Sequence, residues 1–392
     1  MRVALLLSTD YFEDFYGQGF GLSPAEYVAS YRNDWSWDWC RVLRAEGVQP
    51  SLYLPSLTER SRFETDERVG VRFLPLGAIV RPWTALPPLR RTPVGRYAAQ
   101  LANTAGFLRP LRWALAEDQI DVLLIQEYWT ARFDLLVRRL AVPVVGVDQG
   151  LPDRHELKVI KRGSFRAAAG VITQTEREAD KVRRYRGAAI RIANAVDSDL
   201  FAPAQRSDGQ ETRRILAVGR IHDAQKRHSD LVRALARLPE SWTLEIVGRG
   251  PDEDDLRRLA TELGVGDRLG MPGFVSDKRE LRDRYRAATV FAVPSAYEGL
   301  PMTLLEAMSC GTPAVGSDIA AIAEVLDSRS GQLVAVGDVE GLANAFRHCL
   351  EHRNALSAGA RETVLQQYST HVVGPALREY LHNVVFPPGQ DG

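Results

Sequence analysis

Cysteine is scarce in this chain: Cys40, Cys310 and Cys349 are far apart and odd in number. They exclude a disulfide framework and any cysteine-based zinc spacing. An excess of one charge is also missing. Lysine plus arginine and aspartate plus glutamate each number 50, so no net field points to a charged partner and nucleic acid is not expected. No apolar run approaches the roughly 20 residues that span a bilayer. The opening MRVALLLSTD has five apolar residues before Ser8, too few for a signal-peptide core, and reads as a buried first strand. A cytoplasmic chain is expected, with peripheral attachment at the inner membrane face as the variant. Several motifs are absent as well. There is no G-x-x-x-x-G-K-[ST] loop, and neither half holds a full G-x-G-x-x-G, which disfavours an NAD-dependent enzyme. His348 and His352 stand four apart, but Cys349 follows the first, so there is no H-E-x-x-H. Asp197-Ser198-Asp199 falls in an expected linker. Asp252-Glu253-Asp254 opens a helix, where acids complement the dipole. No metal site is expected.

What is present is a repeating alternation. At 392 residues the chain is long enough for two or three domains. Short apolar runs of strand length recur at Val3–Leu7, Ser51–Leu54, Val71–Leu76, Val122–Ile125, Pro143–Val147, Val171–Thr173 and Ile190–Ile192. Helical stretches such as Ser23–Ala45, Arg96–Ala116 and Ala131–Leu140 lie between them. This pattern indicates an α/β, doubly wound parallel sheet covered on both faces. Ligands of such sheets sit beyond the carboxyl ends of the strands.

Two stretches of the N-terminal half are unusual. Ten aromatics fall between Tyr11 and Trp39, with Gly17, Gly19 and Gly21 among them. Trp35 and Trp39 have the spacing of a helix face packed on a sheet. Phe12 to Phe20 suit either core packing or stacking on an acceptor. From Arg81 to Ala116 there are six arginines and no carboxylate, with Trp83, Phe107 and Trp113 interleaved. A solvated helix face is the commoner use of such a stretch. A surface for an anionic acceptor or a membrane is the alternative.

In the C-terminal half the strand-to-helix loops share a chemistry. Leu216–Val218 leads to Gly219, Arg220 and, further on, Lys226. Leu244–Val247 leads to Gly248-Arg249-Gly250-Pro251, and Gly273-Phe274 precedes another helix. Val290–Val293 leads into Ser295–Pro313, SAYEGLPMTLLEAMSCGTP. There Gly299 and Pro301 stand at a helix mouth, and Glu298 and Glu306 are separated by seven residues. A helix start beside a strand end suits an anion, and the two carboxylates suit sugar or ribose hydroxyls. Arg220 and Lys226 suit a diphosphate, with an ion pair to Asp223 as the structural alternative.

From Ile192 to about Leu350 the motifs I-A-N-A-V-D-S-D-L-F, V-G-R-I…K, L-E-I-V-G-R-G-P, P-G-F-V and E-G-L-P-M-T-L-L-E-A-M-S-C-G-T-P follow one another in order. The chain thereby resembles the retaining glycosyltransferases of family 4 (glycosyl transferases group 1). The resemblance implies the GT-B fold, two Rossmann-like domains facing across a cleft. Its boundaries here would be 1–195 for the acceptor domain, 196–369 for the nucleotide-sugar domain and 370–392 for a crossover helix and tail. It implies a metal-independent hexosyltransferase with no cofactor beyond its nucleotide-sugar co-substrate. Arg220 and Lys226 match the diphosphate-binding pair, and Glu298 matches the glutamate at the donor sugar near the reacting centre. Gly219 belongs to the same strand exit. Gly299, Leu300 and Pro301 match the turn at sugar and phosphate, Glu306 the ribose-binding carboxylate, and Gly248, Gly250, Pro251, Gly273 and Phe274 the nucleoside-side loops.

The N-terminal half is similar in outline. Gly17, Gly19 and Gly21 match the glycine loop, and Gln149 stands where many relatives carry a histidine, with His155 nearby. That departure keeps open a nucleotide-sugar-binding partner subunit without transfer activity. A sugar-nucleotide epimerase on the same fold is the other alternative. Neither the acceptor, whether glycan, lipid or small metabolite, nor the oligomeric state is specified by the residues.

Overall fold

The computed structural model describes residues 1–7, 11–19, 21–32, 34–76, 92–149, 158–185, 187–204 and 213–387. They fall into two compact units, Met1–Ala193 with Gly374–Gly392, and Asn194–Val373. The last helix, Thr370–Val385, begins in the second unit and ends in the first.

The first unit is built on eight strands: β1 (Arg2–Leu6), β2 (Gln49–Ser56), β3 (Arg62–Glu64), β4 (Gly70–Pro75), β5 (Val122–Gln126), β6 (Val144–Val147), β7 (Gly170–Thr173) and β8 (Ala189–Arg191). Their order is β3-β4-β2-β1-β5-β6-β7-β8, and every neighbouring pair is parallel except β3 with β4. The central strands are aliphatic and buried along their length, as a sheet covered on both faces requires. The sequence pattern did not reveal β3, a three-residue edge strand with exposed Arg62 and Glu64. The expected helix Ser23–Ala45 is two helices. Pro24–Ala29 starts with a capping box between Ser23 and Glu26, and Trp35–Ala45 restarts on Asp34, whose side chain accepts from the Ser36 N–H. The expected Ala131–Leu140 ends at Leu136.

The aromatic cluster resolves largely into core. Phe12 and Tyr16 are buried, and Phe12 meets Tyr27 and Phe73 edge-on, at ring-centroid distances of 5.5 and 5.2 Å. Trp35 and Trp39 pack edge to face at 5.6 Å. Phe15 stands out in solvent, while Phe20 lies outside the described residues. In the arginine-rich stretch, Arg81, Trp83, Arg90 and Arg91 also lie outside them. From Pro93 onward the stretch forms the helix Pro93–Glu117, with Phe107 buried and Trp113 63% exposed. No helix among the described residues is long and apolar enough to cross a membrane.

The second unit carries six strands, all parallel: β9 (Arg213–Val218), β10 (Trp242–Val247), β11 (Leu269–Gly273), β12 (Val290–Val293), β13 (Ala314–Ser317) and β14 (Gly331–Val334). Their order is β11-β10-β9-β12-β13-β14. The chain winds outward from β9 to β11, then crosses back to β12 on the other side of β9. Loops leaving β9 and β12 therefore diverge, and the crevice between them is where such sheets take ligands. Helices such as His228–Leu235 and Val339–Glu351 cover the sheet with Leu231, Leu235, Leu342 and Phe346, which pack on Ile215, Leu244 and Val290.

Candidate functional site

The loop after β9 carries the cations. Gly219 and Arg220 leave the strand, and a short turn, Asp223–Lys226, ends at Arg227 in the left-handed region with φ 52°. Asp223 is not paired with Arg220 or Lys226. Its carboxylate accepts from Ser229 N (2.8 Å) and Ser229 Oγ (2.7 Å), capping the next helix. Asp252 is likewise structural, accepting from Asp223 N at 2.6 Å. Among the described residues no group of three His, Cys, Asp or Glu side chains is placed to hold a metal. The Arg220 side chain is exposed and bonds to no described residue.

The glycines of neighbouring loops are explained by close backbone approach. A Cβ on Gly248 would lie 1.9 Å from the Gly219 carbonyl oxygen, and one on Gly250 would lie 1.9 Å from that of Ile221. The Gly219 N–H donates to Val247 O at 2.9 Å, and the Gly248 N–H donates to Gly273 O at 2.9 Å. The Gly250 N–H donates to Glu253 Oε1, also at 2.9 Å. These glycines bind the strand exits of β9, β10 and β11 to one another. Gly273 sits at φ +88°, and beside it the Phe274 ring is 47% exposed. Pro251 is exposed at the following turn.

The loop after β12 comes to the same edge. Glu298 Oε1 accepts from Lys226 Nζ at 2.6 Å and from Ser295 Oγ at 2.6 Å. The Ala296 N–H donates to Gln225 O at 2.8 Å, fixing one loop to the other. Gly299 and buried Leu300 follow, and Pro301 caps the helix Met302–Ser309. No described residue accepts from the N–H groups of Gly299, Leu300, Met302 or Thr303. These four amides, two in the loop and two at the positive end of a helix dipole, form a cradle for negative charge beside Lys226. Glu306 lies one turn and a half further on. It is 6% exposed, and Tyr285 Oη donates to its Oε2 at 2.8 Å. Burial and the Glu306 charge push the Tyr285 hydroxyl well above its ordinary pKa, so it stays a donor. Burial and the Lys226 charge push His228 down to about 4, so the ring stays neutral.

Ser295, Gln225 and Tyr285 are the residues that sequence reasoning missed. Ser295 is adjacent to the motif, whereas Tyr285 precedes Glu306 by 21 positions and no spacing rule joins them. The second unit thus brings Gly219, Arg220, Lys226, Gly248, Gly250, Pro251, Gly273, Phe274, Glu298, Gly299, Leu300 and Pro301 to loops on one sheet edge, with Glu306 on the helix behind. Gly17, Gly19, Gly21 and Gln149 belong to the first unit. Gly17 lies in a π-helical turn, Glu13–Gln18, capped by Gly19. An added Cβ on Gly17 would meet nothing nearer than 3.8 Å, so close packing does not demand glycine there. Gly21 has φ +68°. Glu13 anchors the turn, accepting from Ser56 Oγ, Leu57 N, and Thr58 N and Oγ1. Burial opposes its ionisation, but these bonds together hold its pKa below the ordinary value. Gln149 is half-buried just past β6, and His155 lies outside the described residues.

Comparison with known proteins gives the same class from sequence and structure. Residues 212–352 match the model of the family described as glycosyl transferases group 1. The phosphatidyl-myo-inositol mannosyltransferase of Mycolicibacterium smegmatis is 34% identical over 290 residues, covering 70% of this chain and 73% of that protein. The 2-deoxystreptamine glucosyltransferase of Streptomyces kanamyceticus is 30% identical over 294 residues, covering 68% and 74%. Among solved structures, sucrose-phosphate synthase from Thermosynechococcus elongatus aligns with TM-score 0.75 at 20% identity, covering 98% of this chain and 99% of that one. The Anabaena Alr3699/HepE structure in complex with UDP-glucose aligns with TM-score 0.66 at 17% identity, covering 97% and 99%. The fold and these relatives define a glycosyltransferase of the GT-B type. The chain belongs to the glycosyl transferases group 1 family.

Proposed function

We propose that the chain transfers a sugar from a nucleoside-diphosphate sugar, with retention of anomeric configuration and without a metal. The observation that carries this reading is the Lys226–Glu298 pair at the β9/β12 crevice, flanked by exposed Arg220 and by four unengaged amides. In the reaction the diphosphate becomes the leaving group and gains negative charge. Arg220, Lys226 and the cradle amides face that charge, and each cation so placed is worth about 3 kcal/mol in a dry site. The phosphate draws on Lys226, which leaves Glu298 to hold hydroxyls of the donor sugar. Glu306, oriented by Tyr285, holds ribose hydroxyls, and Phe274 with the Gly248–Pro251 turn borders the nucleoside. Two cations and a helix terminus take the role a divalent metal plays in other transferases, which supports metal independence.

The first unit supplies the acceptor side, through the Gly17–Gly21 loop and Gln149. Names of the relatives span a phosphatidyl-myo-inositol, a deoxystreptamine and a lipopolysaccharide core, and the acceptor of this chain is left open. The Anabaena structure with UDP-glucose makes uridine the first nucleotide to try. A thermal-shift screen across nucleoside diphosphates and their sugars tests the reading. A ligand at 100 times its Kd stabilises by about 2.7 kcal/mol, so one nucleotide should raise the melting temperature clearly. A flat response to every nucleotide would sink it.

A further inference from the structure

A pocket of about 330 Å³ opens in the second unit, lined by Arg286, Arg353 and Arg361 together with Cys310, Gly311 and Ser357. It stands at the amino ends of the strands. Thr312, another lining residue, precedes β13 by two positions, and Arg353 Nη2 donates at 2.8 Å to Ala288 O, just ahead of β12. The Lys226 and Glu298 loops leave from carboxyl ends. In a parallel sheet these are opposite edges, separated by roughly 13 Å for a strand of four residues. The pocket is therefore a separate place from the crevice described above.

Two of its arginines, Arg361 and Arg286, have little compensating charge among the described residues. Arg361 donates to the carbonyls of Phe201 (2.9 Å), Ser309 (2.7 Å) and Ser198 (3.0 Å), and meets no carboxylate at ion-pair distance among the described residues. Arg286 donates Nε to Ala202 O at 2.6 Å. Its carboxylate neighbour is Asp283, 3.4 Å from Nη1 on a side chain that is 60% exposed. Carbonyl oxygens orient a guanidinium but leave its positive charge in place. Pinning the 198–202 segment would explain the bonds of Arg361 and Arg286. Arg353 is held separately, by the Ala288 carbonyl, and the three guanidinium groups line one open pocket. Several fixed guanidinium groups around one cavity suit the tetrahedral oxygens of a phosphate. The volume lies at the low end of small-ligand pockets, and exceeds what a bare phosphate needs.

We propose that this pocket binds a small phosphate ester. The ligand would rest against Cys310 and Gly311, just past the helix Met302–Ser309, whose opposite end carries the amide cradle. The test is a thermal shift with glucose 6-phosphate, with glucose as the uncharged control, on the full chain and three variants. Ala358→Glu adds a carboxylate at an exposed lining position and keeps every arginine. Arg353→Gln removes one guanidinium, and Lys226→Gln reports on the other edge. Glucose 6-phosphate should stabilise the wild type and Lys226→Gln, while glucose does not. In Ala358→Glu and Arg353→Gln the shift should disappear, with affinity by titration falling about tenfold or more. Unliganded melting of Ala358→Glu at the wild-type temperature confirms that the variant folds. No shift in the wild type, or an equal shift with glucose, would overturn the proposal. So would a shift that survives both pocket variants, or one that vanishes in Lys226→Gln.

Discussion

Replacing Lys226 by alanine isolates the interaction on which the candidate site turns. The ammonium lies 2.6 Å from Glu298, with side-chain exposures of 19% for the lysine and 8% for the glutamate. Removing it leaves a largely buried carboxylate with the Ser295 hydroxyl as its remaining donor among the described residues. Breaking a fully buried pair costs about 3–5 kcal/mol. Water reaches this lysine, so about 2 kcal/mol is expected here. For a unit the size of residues 194–373 that is roughly 4–8 °C in melting temperature. Calorimetry at neutral pH measures it, with Glu298→Gln and the double variant completing a cycle. The double variant should be more stable than the sum of the singles implies, by about 1–2 kcal/mol of coupling. Uridine diphosphate affinity of Lys226→Ala should fall about tenfold or more, because a charge-assisted hydrogen bond is lost. Melting within a degree of wild type, additivity in the cycle and unchanged nucleotide affinity would together rule out a coupled Lys226–Glu298 pair at a nucleotide site.

Tyr285→Phe removes the donor to Glu306 and should cost about 1–2 kcal/mol; it should weaken nucleotide binding more than it slows turnover, and equal stability by urea titration would count against the bond. Gly248→Ala drives a Cβ to 1.9 Å from the Gly219 carbonyl, so the β9 and β10 exits must separate. Thermal melting should drop and nucleotide binding should be lost with it, whereas a wild-type melt would show the approach to be looser than described. His228 takes up its proton near 6.5 when unfolded but only near 4 when folded. Folding therefore loses stability as pH falls from about 6.5 to 4, by up to about 3 kcal/mol, and gains nothing further above that window. Urea midpoints at pH 7.5 and 4.5 measure the loss, and His228→Gln should shrink it; an unchanged difference would point to other groups.

The parallel sheets were legible because their strands are short aliphatic runs, such as Val290–Val293, that have no other stable home. The carboxyl-edge loops followed from the alternation of strand and helix, since that topology puts every strand exit on one side. What the residues concealed was partnership. Asp223 reads as the neighbour of two cations, yet it faces Ser229, six positions on. Gly248 and Gly250 read as part of the nucleoside-side loops, and the residues did not show that their backbone also packs on that of Gly219 and Ile221. Tyr285 and Ser295 acquire meaning only when folding sets them beside Glu306 and Glu298. In the first unit, local pattern merged two helices because the break at Ser30–Asp34 contains neither glycine nor proline. The restart rests on the Asp34 carboxylate, which accepts from the Ser36 N–H and hydroxyl. The aromatics there were ambiguous for a physical reason: a ring that stacks on a sugar and a ring that fills a core have the same composition, and only burial separates Phe12 from Phe15.

We propose sugar transfer from a nucleotide donor at the crevice between β9 and β12. Its most direct test is release of nucleoside diphosphate from UDP-glucose and other nucleotide sugars in the presence of a metal chelator, comparing wild type with Glu298→Gln. Slow release by the wild type, undiminished by chelator and reduced about a hundredfold or more in Glu298→Gln, is the predicted result; a loss of that size corresponds to about 2.7 kcal/mol of transition-state stabilisation. Release that needs a divalent metal, or that proceeds equally well in the variant, would overturn metal-independent transfer through Glu298.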